Sequence, residues 1–476
     1  MYEKLELYID GHWRQGSQGA SEPVINPADE AVLGELPHAS QADLDEALAA
    51  SQRAFDQWRK VNPYQRSALL KKVAALIREN QQRLATIMTL EQGKTIGESS
   101  IEVAVTADST EWAAEECIRT YGRIVPSRYT GTRMLVDYQP IGPVAAFSPW
   151  NFPALMPMRK AATAIAAGCS VILKPAEETP ATAIALARLY EQAGCPKGLL
   201  QVVFGVPAEV SSHLIRSPII RKVSFTGSIP IGKLLAASAA EGLKKITLEL
   251  GGHAPVVVFD DVDVDKVAAM AAAGKQRNAG QVCISPTRFY VQEKIHGAFV
   301  ERFTEVFRNL TVGNGLDTET QMGPMANPRR LEAMDRFVAD ARDHGGTVRT
   351  GGERLGNQGY YYQPTVIADV SDDSKIMTEE PFGPVAPIVP FKTYAEVVER
   401  ANSLNFGLAA YAFTANSARA QQLSEDIEAG MVALNSLLIA SPETPFGGIK
   451  ESGIGREAGI EGVIEHMEMK TISMTA

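Results

Sequence analysis

The chain has 476 residues, of which 45% are hydrophobic and 21% charged, the profile of a soluble globular protein too long for one hydrophobic core, since cores stop growing near ~250–300 residues. Its 46 Lys and Arg stand against 56 Asp and Glu, and the net charge of −10 argues against nucleic acid or an anionic membrane as a partner. The four cysteines, Cys117, Cys169, Cys195 and Cys283, form no CxxC pair, so neither a disulfide framework nor a zinc site is signalled, and the first three are expected to be small buried hydrophobes.

The opening residues, Met1 to Trp13, lack the basic and apolar regions of a secretory signal, and the longest apolar stretch, around Ala161 to Leu173, falls short of the ~20 residues a membrane span needs. A cytosolic, cytoplasmic protein is expected. Ser40-Gln41-Ala42-Asp43 reads as a capping box opening a helix in which Leu44, Leu48, Phe55 and Trp58 share one face, until Pro63 interrupts. A second amphipathic run extends from Leu69 to Met88. From Tyr121 to Gln139 the pattern turns β-prone around Thr130-Gly131-Thr132, which predicts an extended hairpin whose edges a subunit contact would cover.

Between Val144 and Phe259, short β-rich apolar runs alternate with helical segments: Val144 to Phe147, Val171 to Leu173, Val202 to Phe204, Val223 to Phe225, Ile246 to Leu250 and Val256 to Phe259. That alternation predicts a doubly wound parallel sheet covered on both faces, a frequent dinucleotide binder. A second α/β alternation runs from about Asp265 to Ala440.

The residues that carry chemistry follow in the same order. Asn151, in Pro149-Trp150-Asn151-Phe152-Pro153, offers a neutral amide donor. Lys174-Pro175-Ala176-Glu177 follows a strand, where a carboxylate can accept both hydroxyls of an adenine ribose and repel a 2′-phosphate; this favours NAD over NADP, although Lys174 offsets part of the charge. Gly227 and Ser228 close a strand and open a helix with Pro230 in its first turn, a place for a pyrophosphate as well as an ordinary tight turn. Glu249 ends a strand before Gly251-Gly252. Cys283, in Gly280-Gln281-Val282-Cys283, has no histidine beside it. A thiol, an amide and a carboxylate offered without an imidazole suit aldehyde oxidation: the thiolate attacks a carbonyl, preorganised donors hold the oxyanion, and a carboxylate activates the water that clears a thioester. Gly453-Ile454-Gly455-Arg456-Glu457-Ala458 resembles a dinucleotide fingerprint in text only. It follows no apolar strand and leaves too little chain for a βαβ unit, so it reads as a loop.

Taken with Glu379-Glu380-Pro381-Phe382-Gly383-Pro384 and Pro445-Phe446-Gly447-Gly448, these ordered motifs resemble the aldehyde dehydrogenase superfamily over essentially the whole chain. The resemblance implies Cys283 as nucleophile, Glu249 as general base and Asn151 in the oxyanion site. It also implies an NAD or NADP cofactor, with Lys174 and Glu177 at the adenosine ribose, Gly227 and Ser228 near the pyrophosphate, Glu380 and Phe382 at the nicotinamide ribose and ring, and Trp150 and Leu250 beside them. The implied architecture is an α/β fold in three parts: a cofactor domain (1–120 and 142–251), a catalytic domain (252–440), and a small β domain (121–141 and 455–476) that builds a homodimer or homotetramer.

Arg159 and Arg277, if both face the substrate, form a two-armed clamp for a carboxylate. Their positions, and that of Ser441, are similar to the substrate-binding positions of the succinate-semialdehyde dehydrogenase branch. Some members of that branch carry a second cysteine two positions after the nucleophile; here it is Ser285, so regulation by that disulfide is not expected. Glutarate and 2-oxoglutarate semialdehydes fit the same clamp, because one methylene is worth only ~1–3 kcal/mol in a pocket. A cysteine hydrolase or thioesterase is the alternative from another class, weakened by the missing histidine. A CoA-acylating enzyme is weakened by the presence of Glu249, and an inert protein of the same fold by the retained trio.

Overall fold

The computed structural model describes residues 2–475. Four sheets are present, and two of them build the body. The first has eight strands in the order Gly453–Ile454, Lys245–Glu249, Lys222–Thr226, Val144–Phe147, Val171–Lys174, Leu200–Val202, Leu7–Ile9 and His12–Arg14, of which the five between Lys245–Glu249 and Leu200–Val202 run parallel. The chain adds strands in one direction from Val144–Phe147 and then returns to add Lys222–Thr226 and Lys245–Glu249 on the other side. The switch point between Val144–Phe147 and Lys222–Thr226 is where the carboxyl ends of a doubly wound sheet open a crevice.

The second sheet has seven strands, ordered Thr347–Thr350, Thr365–Ala368, Val385–Phe391, Pro286–Gln292, Ala254–Val258, Ala409–Phe413 and Met431–Leu434, all parallel except the first. The interior strand Ala254–Val258 shows why the sequence there is continuously apolar. Val256 and Val258 pack with Phe299 and Phe303 of the helix Glu293–Arg308 on one face, while Val257 packs with Met334 and Phe337 of the helix Pro328–Asp343 on the other. A strand buried on both sides has no polar face to display. Only Leu250 to His253 separate the last parallel strand of the first sheet from the first strand of the second, so Glu249 lies at the junction.

The β-prone stretch forms Arg123–Val125 and Thr132–Pro140, paired antiparallel, with Met467–Thr475 alongside Thr132–Pro140 to complete a three-stranded sheet. Ser21–Ile25 and Val32–Pro37 make a separate hairpin. No helix among the described residues is long and apolar enough to cross a membrane.

Three sequence expectations need correction. The amphipathic run from Leu69 to Met88 is two helices, Pro63–Glu79 and Gln81–Gln92. Asn80 breaks it: the residue leaves helical geometry at ψ 14, and its carboxamide donates to the Leu76 carbonyl at 2.8 Å. Gly453–Ile454 is a short edge strand rather than a loop, antiparallel to Leu248 and Glu249, an assignment no local periodicity reveals in two residues. Cys195 is half-buried, whereas Cys117 and Cys169 are buried.

Candidate active site

A cavity of about 590 Å3 lies where the carboxyl ends of the first sheet meet the amino end of Pro286–Gln292 from the second. It brings together Trp150, Asn151, Gly227, Ser228, Glu249, Leu250, Cys283, Glu380 and Phe382, along with Thr226, Asn327 and Arg330.

Cys283 arrives on a loop under strain. After the helix Val264–Gln276, three consecutive residues take left-handed backbone: Asn278 at φ 50, Ala279 at φ 51 and Gly280 at φ 72. Such a run persists only where the surroundings fix it. Here the Asn278 N–H donates to the Glu98 carboxylate at 2.7 Å, the Ala326 N–H to the Gln281 carboxamide oxygen at 2.9 Å, and the Tyr411 hydroxyl to the Ile284 carbonyl at 2.6 Å. A Cβ on Gly280 would overlap the Gly383 carbonyl. Gly280→Ala is therefore expected to cost about 2–4 kcal/mol from the disfavoured φ plus the backbone clash. Chemical denaturation checks this; an unchanged midpoint would mean that the loop yields freely.

The Asn151 amide donates to the Gln281 carbonyl at 3.0 Å, which ties it to the nucleophile loop; its second N–H has no partner among the described residues. Glu249 is buried, and neither of its carboxylate oxygens has a hydrogen-bond partner among the described residues. Burial foremost, and then the charge of Glu457, raise its carboxyl well above the usual range, with Lys160, Arg159 and Arg456 acting the other way. Glu457 reaches this neighbourhood through a two-way backbone bridge with Phe446, and its carboxylate accepts from Lys160. Cys283 keeps some surface open to the cavity but is crowded by protein. Burial first, followed by the charges of Glu380 and Glu249, pushes the thiol up to about 12, opposed by Arg159. The resting sulfur is therefore a thiol, and its attack on carbon requires a proton acceptor.

The cofactor side is built on the first sheet. Ser228 caps the helix Ile229–Glu241 without using its hydroxyl on the helix, so that hydroxyl and the first-turn N–H groups are free to meet an anion. Gly227 has no room for a side chain beside the Phe225 ring, nor has Gly251 beside the Glu380 carboxylate. Glu380 accepts from the Gly252 N–H at 3.2 Å, and burial raises its carboxyl to about 7 against that bond and the charges of Arg330 and Lys275. Phe382, held at φ 46, meets Trp150 edge to face at 5.4 Å. Lys174 and Glu177 lie beyond the cavity, joined to each other at the end of Val171–Lys174. A free helix N-terminus, glycines where backbone must approach closely and carboxylates flanking them fit an extended dinucleotide.

Arg159, Arg277 and Ser441 are not brought into this cavity. Arg159, buried on the helix Leu155–Ala167, stacks over Phe446 at 5.0 Å. Arg277 is exposed and stacks over Phe152 at 5.3 Å, lining a small separate cavity with Glu98, Ile101 and Val105. Ser441 is half-buried, its hydroxyl 3.3 Å from that of Thr444. Sequence reasoning passed over Lys160, Glu457, Arg330, Lys94 and Glu102. Charged residues on amphipathic segments read as solvated faces, and Glu457 lay in the stretch set aside as a loop.

Residues 13–472 match the aldehyde dehydrogenase family. The chain is 46% identical to a putative 4-(hydroxymethyl)benzenesulfonate dehydrogenase of Comamonas testosteroni, over 100% of this chain and 99% of that one. It is 42% identical to the succinate semialdehyde dehydrogenase of Acinetobacter baylyi, over 98% and 97% respectively. The crystal structure of an Escherichia coli NADP-dependent enzyme superposes with a TM-score of 0.98 at 40% identity, covering 100% of this chain and 98% of the other. The cavity at the switch point and these full-length likenesses agree: the chain belongs to the aldehyde dehydrogenase family and is an NAD(P)-dependent aldehyde dehydrogenase.

Proposed function

We propose that this enzyme oxidises an aldehyde bearing a distal carboxylate, most simply succinate semialdehyde to succinate, through a thioester on Cys283. The observation that carries the substrate class is Arg159. Two of its guanidinium nitrogens, Nε and Nη1, are buried with no hydrogen-bond partner among the described residues, and its charge acts on both Cys283 and Glu249. Buried guanidinium donors left unmet are costly, and an anionic substrate group is the partner that satisfies them. In this reading Arg159 carries the clamp, and Arg277 and Ser441, which stand outside the cavity, are its expected second arm.

The chemistry starts with transfer of the Cys283 proton to a solvent base in the open cavity and attack of Sγ on the aldehyde carbon, which forms the C–S bond and moves the carbonyl pair onto oxygen. The free N–H of Asn151 and the Cys283 backbone N–H hold that oxyanion. A nicotinamide dinucleotide would supply the two-electron acceptor for the hydrogen and bonding pair that leave that carbon; Trp150, Gly227, Ser228, Leu250, Glu380 and Phe382 would hold it, with Lys174 and Glu177 at its adenosine ribose. In the thioester stage Glu249 takes a proton from water, the water oxygen bonds to the acyl carbon, and the C–S bond breaks to return the sulfur. The Lys174–Glu177 pair supports NAD as cofactor while leaving NADP tolerable, since Lys174 offsets the carboxylate. The three-stranded sheet, with Ile124 and Met469 exposed and Tyr129 exposed on the turn between its first two strands, is assigned to contacts between copies of the chain in a dimer or tetramer.

The sulfonate in the name of the relative from Comamonas testosteroni favours a second reading, in which the aldehyde carries a sulfonate as its anionic group, because that anion makes the same charge-assisted bonds to a guanidinium. Either way, Arg159→Ala is expected to raise KM for the anionic aldehyde about 10- to 100-fold and to leave an uncharged aldehyde of equal length little changed. Steady-state assays with four- and five-carbon semialdehydes, a sulfonated benzaldehyde and their uncharged counterparts make the comparison. Equal losses for charged and uncharged substrates would remove the clamp.

A further inference from the structure

Asn151 is held by a polar cluster that the catalytic scheme does not use. Lys94 and Glu102 form an ion pair at 2.6 Å with side chains 1% and 2% exposed. The three protons of the Lys94 ammonium are all met: by Glu102, by the Asn151 carbonyl at 2.7 Å and by the face of Phe152, 4.3 Å from the ring centre. The other oxygen of Glu102 accepts from the N–H groups of Ala154 and Leu155 at 2.9 and 3.1 Å. Those two residues open the helix Leu155–Ala167, which has no side-chain cap of its own, so a carboxylate from another helix serves as its cap. Asn278 joins the cluster by donating its carboxamide to the same Asn151 carbonyl at 3.0 Å. Glu98, one turn before Glu102, closes the capping box of the helix Ile96–Glu116 with one oxygen and holds the Asn278 N–H with the other.

A fully buried ion pair is seldom worth more to stability than well-packed apolar residues of the same volume, so its presence under a reactive loop asks for another reason. We propose that Lys94 and Glu102 are positioning residues for the reaction: they fix the backbone at Asn151, so that its one uncommitted amide N–H stands where the oxyanion develops, and they lock it to the loop that carries Cys283. This inference rests on the reading of Asn151 as an oxyanion donor. Lys94 has two fixed acceptors and the Asn151 carbonyl accepts from two fixed donors, Lys94 and Asn278, which leaves the amide little freedom to turn from the position its bond to the Gln281 carbonyl sets.

The test is a double-mutant cycle on the full-length enzyme, with the aldehyde that the unaltered enzyme turns over fastest. Lys94→Met is expected to lower kcat about 10- to 100-fold with KM for NAD unchanged, yet to lower it less than about threefold in an Asn151→Ala background, because the amide it serves is already gone. If Lys94→Met does not fold, Glu102→Gln reads the same cycle, since the glutamine oxygen still accepts from Ala154 and Leu155 while the charge facing Lys94 is lost. Losses that multiply in the two backgrounds, or an unchanged kcat, would overturn the inference. An Asn151→Ala enzyme with full kcat would instead bring down the oxyanion reading itself. A slow Asn151→Ala beside an unimpaired Lys94→Met would remove only the positioning role.

Discussion

Cys283→Ala is expected to lower kcat by about 10,000-fold or more, with NAD binding and thermal unfolding unchanged. The size follows from the absence of a second thiol or an imidazole in the cavity among the described residues. Cys117, Cys169 and Cys195 lie outside the cavity, and so do the two histidines flanking Cys283 in sequence: His296 has its Nε2 3.3 Å from the Ile388 carbonyl, and His253 is buried with its ring nitrogens 2.9 Å from the Thr287 hydroxyl and 3.1 Å from the Ile376 carbonyl. The cofactor-side residues do not depend on the thiol: Ser228 stands at its helix start, and Glu380 is held by the Gly252 N–H and the charges around it. Fluorescence titration with NAD should therefore give the unaltered affinity beside an inactive enzyme. Retained activity in this variant would refute the thioester route.

Glu249→Gln should separate the two halves of the reaction. A burst of reduced cofactor close to one equivalent per active site is expected, followed by turnover slowed about 100- to 10,000-fold, because the amide cannot take a proton from the water that clears the thioester. Rapid mixing with product absorbance reads both phases, and a variant with unchanged steady-state turnover would remove Glu249 as the base. The same residue sets a pH limb. Burial and the charge of Glu457 raise its carboxyl above the ordinary glutamate range, so the base form is lost, and hydrolysis with it, as pH falls through that raised value. The acid limb of kcat should accordingly lie above the pH expected for an exposed glutamate, and it should disappear in Glu249→Gln.

The reading of the sequence was strongest where chemistry and local geometry coincide. The strand ends that present Lys174, Thr226 and Glu249 were legible from continuous apolar runs, since a strand buried on both faces must be apolar throughout. Residues acting through charge at a distance were not legible. Lys94, Glu102, Lys160 and Glu457 are each ordinary on a helix or in a loop, and only their burial against one another sets them apart.

The sequence by itself determined the α/β class, the order of the motifs, and a thiol, an amide and a carboxylate available without an imidazole, because residue type and spacing are properties of the chain alone. The tertiary structure decided that Asn151, Glu249 and Cys283 share one cavity while Arg159, Arg277 and Ser441 stand outside it. It also decided that Asn80 divides a helical run, that Gly453–Ile454 joins a sheet edge, and that Glu249 lies buried beside Glu457. These are relations between segments far apart in the chain, and the burial that shifts a carboxyl or leaves a guanidinium without a partner exists only once those segments have packed.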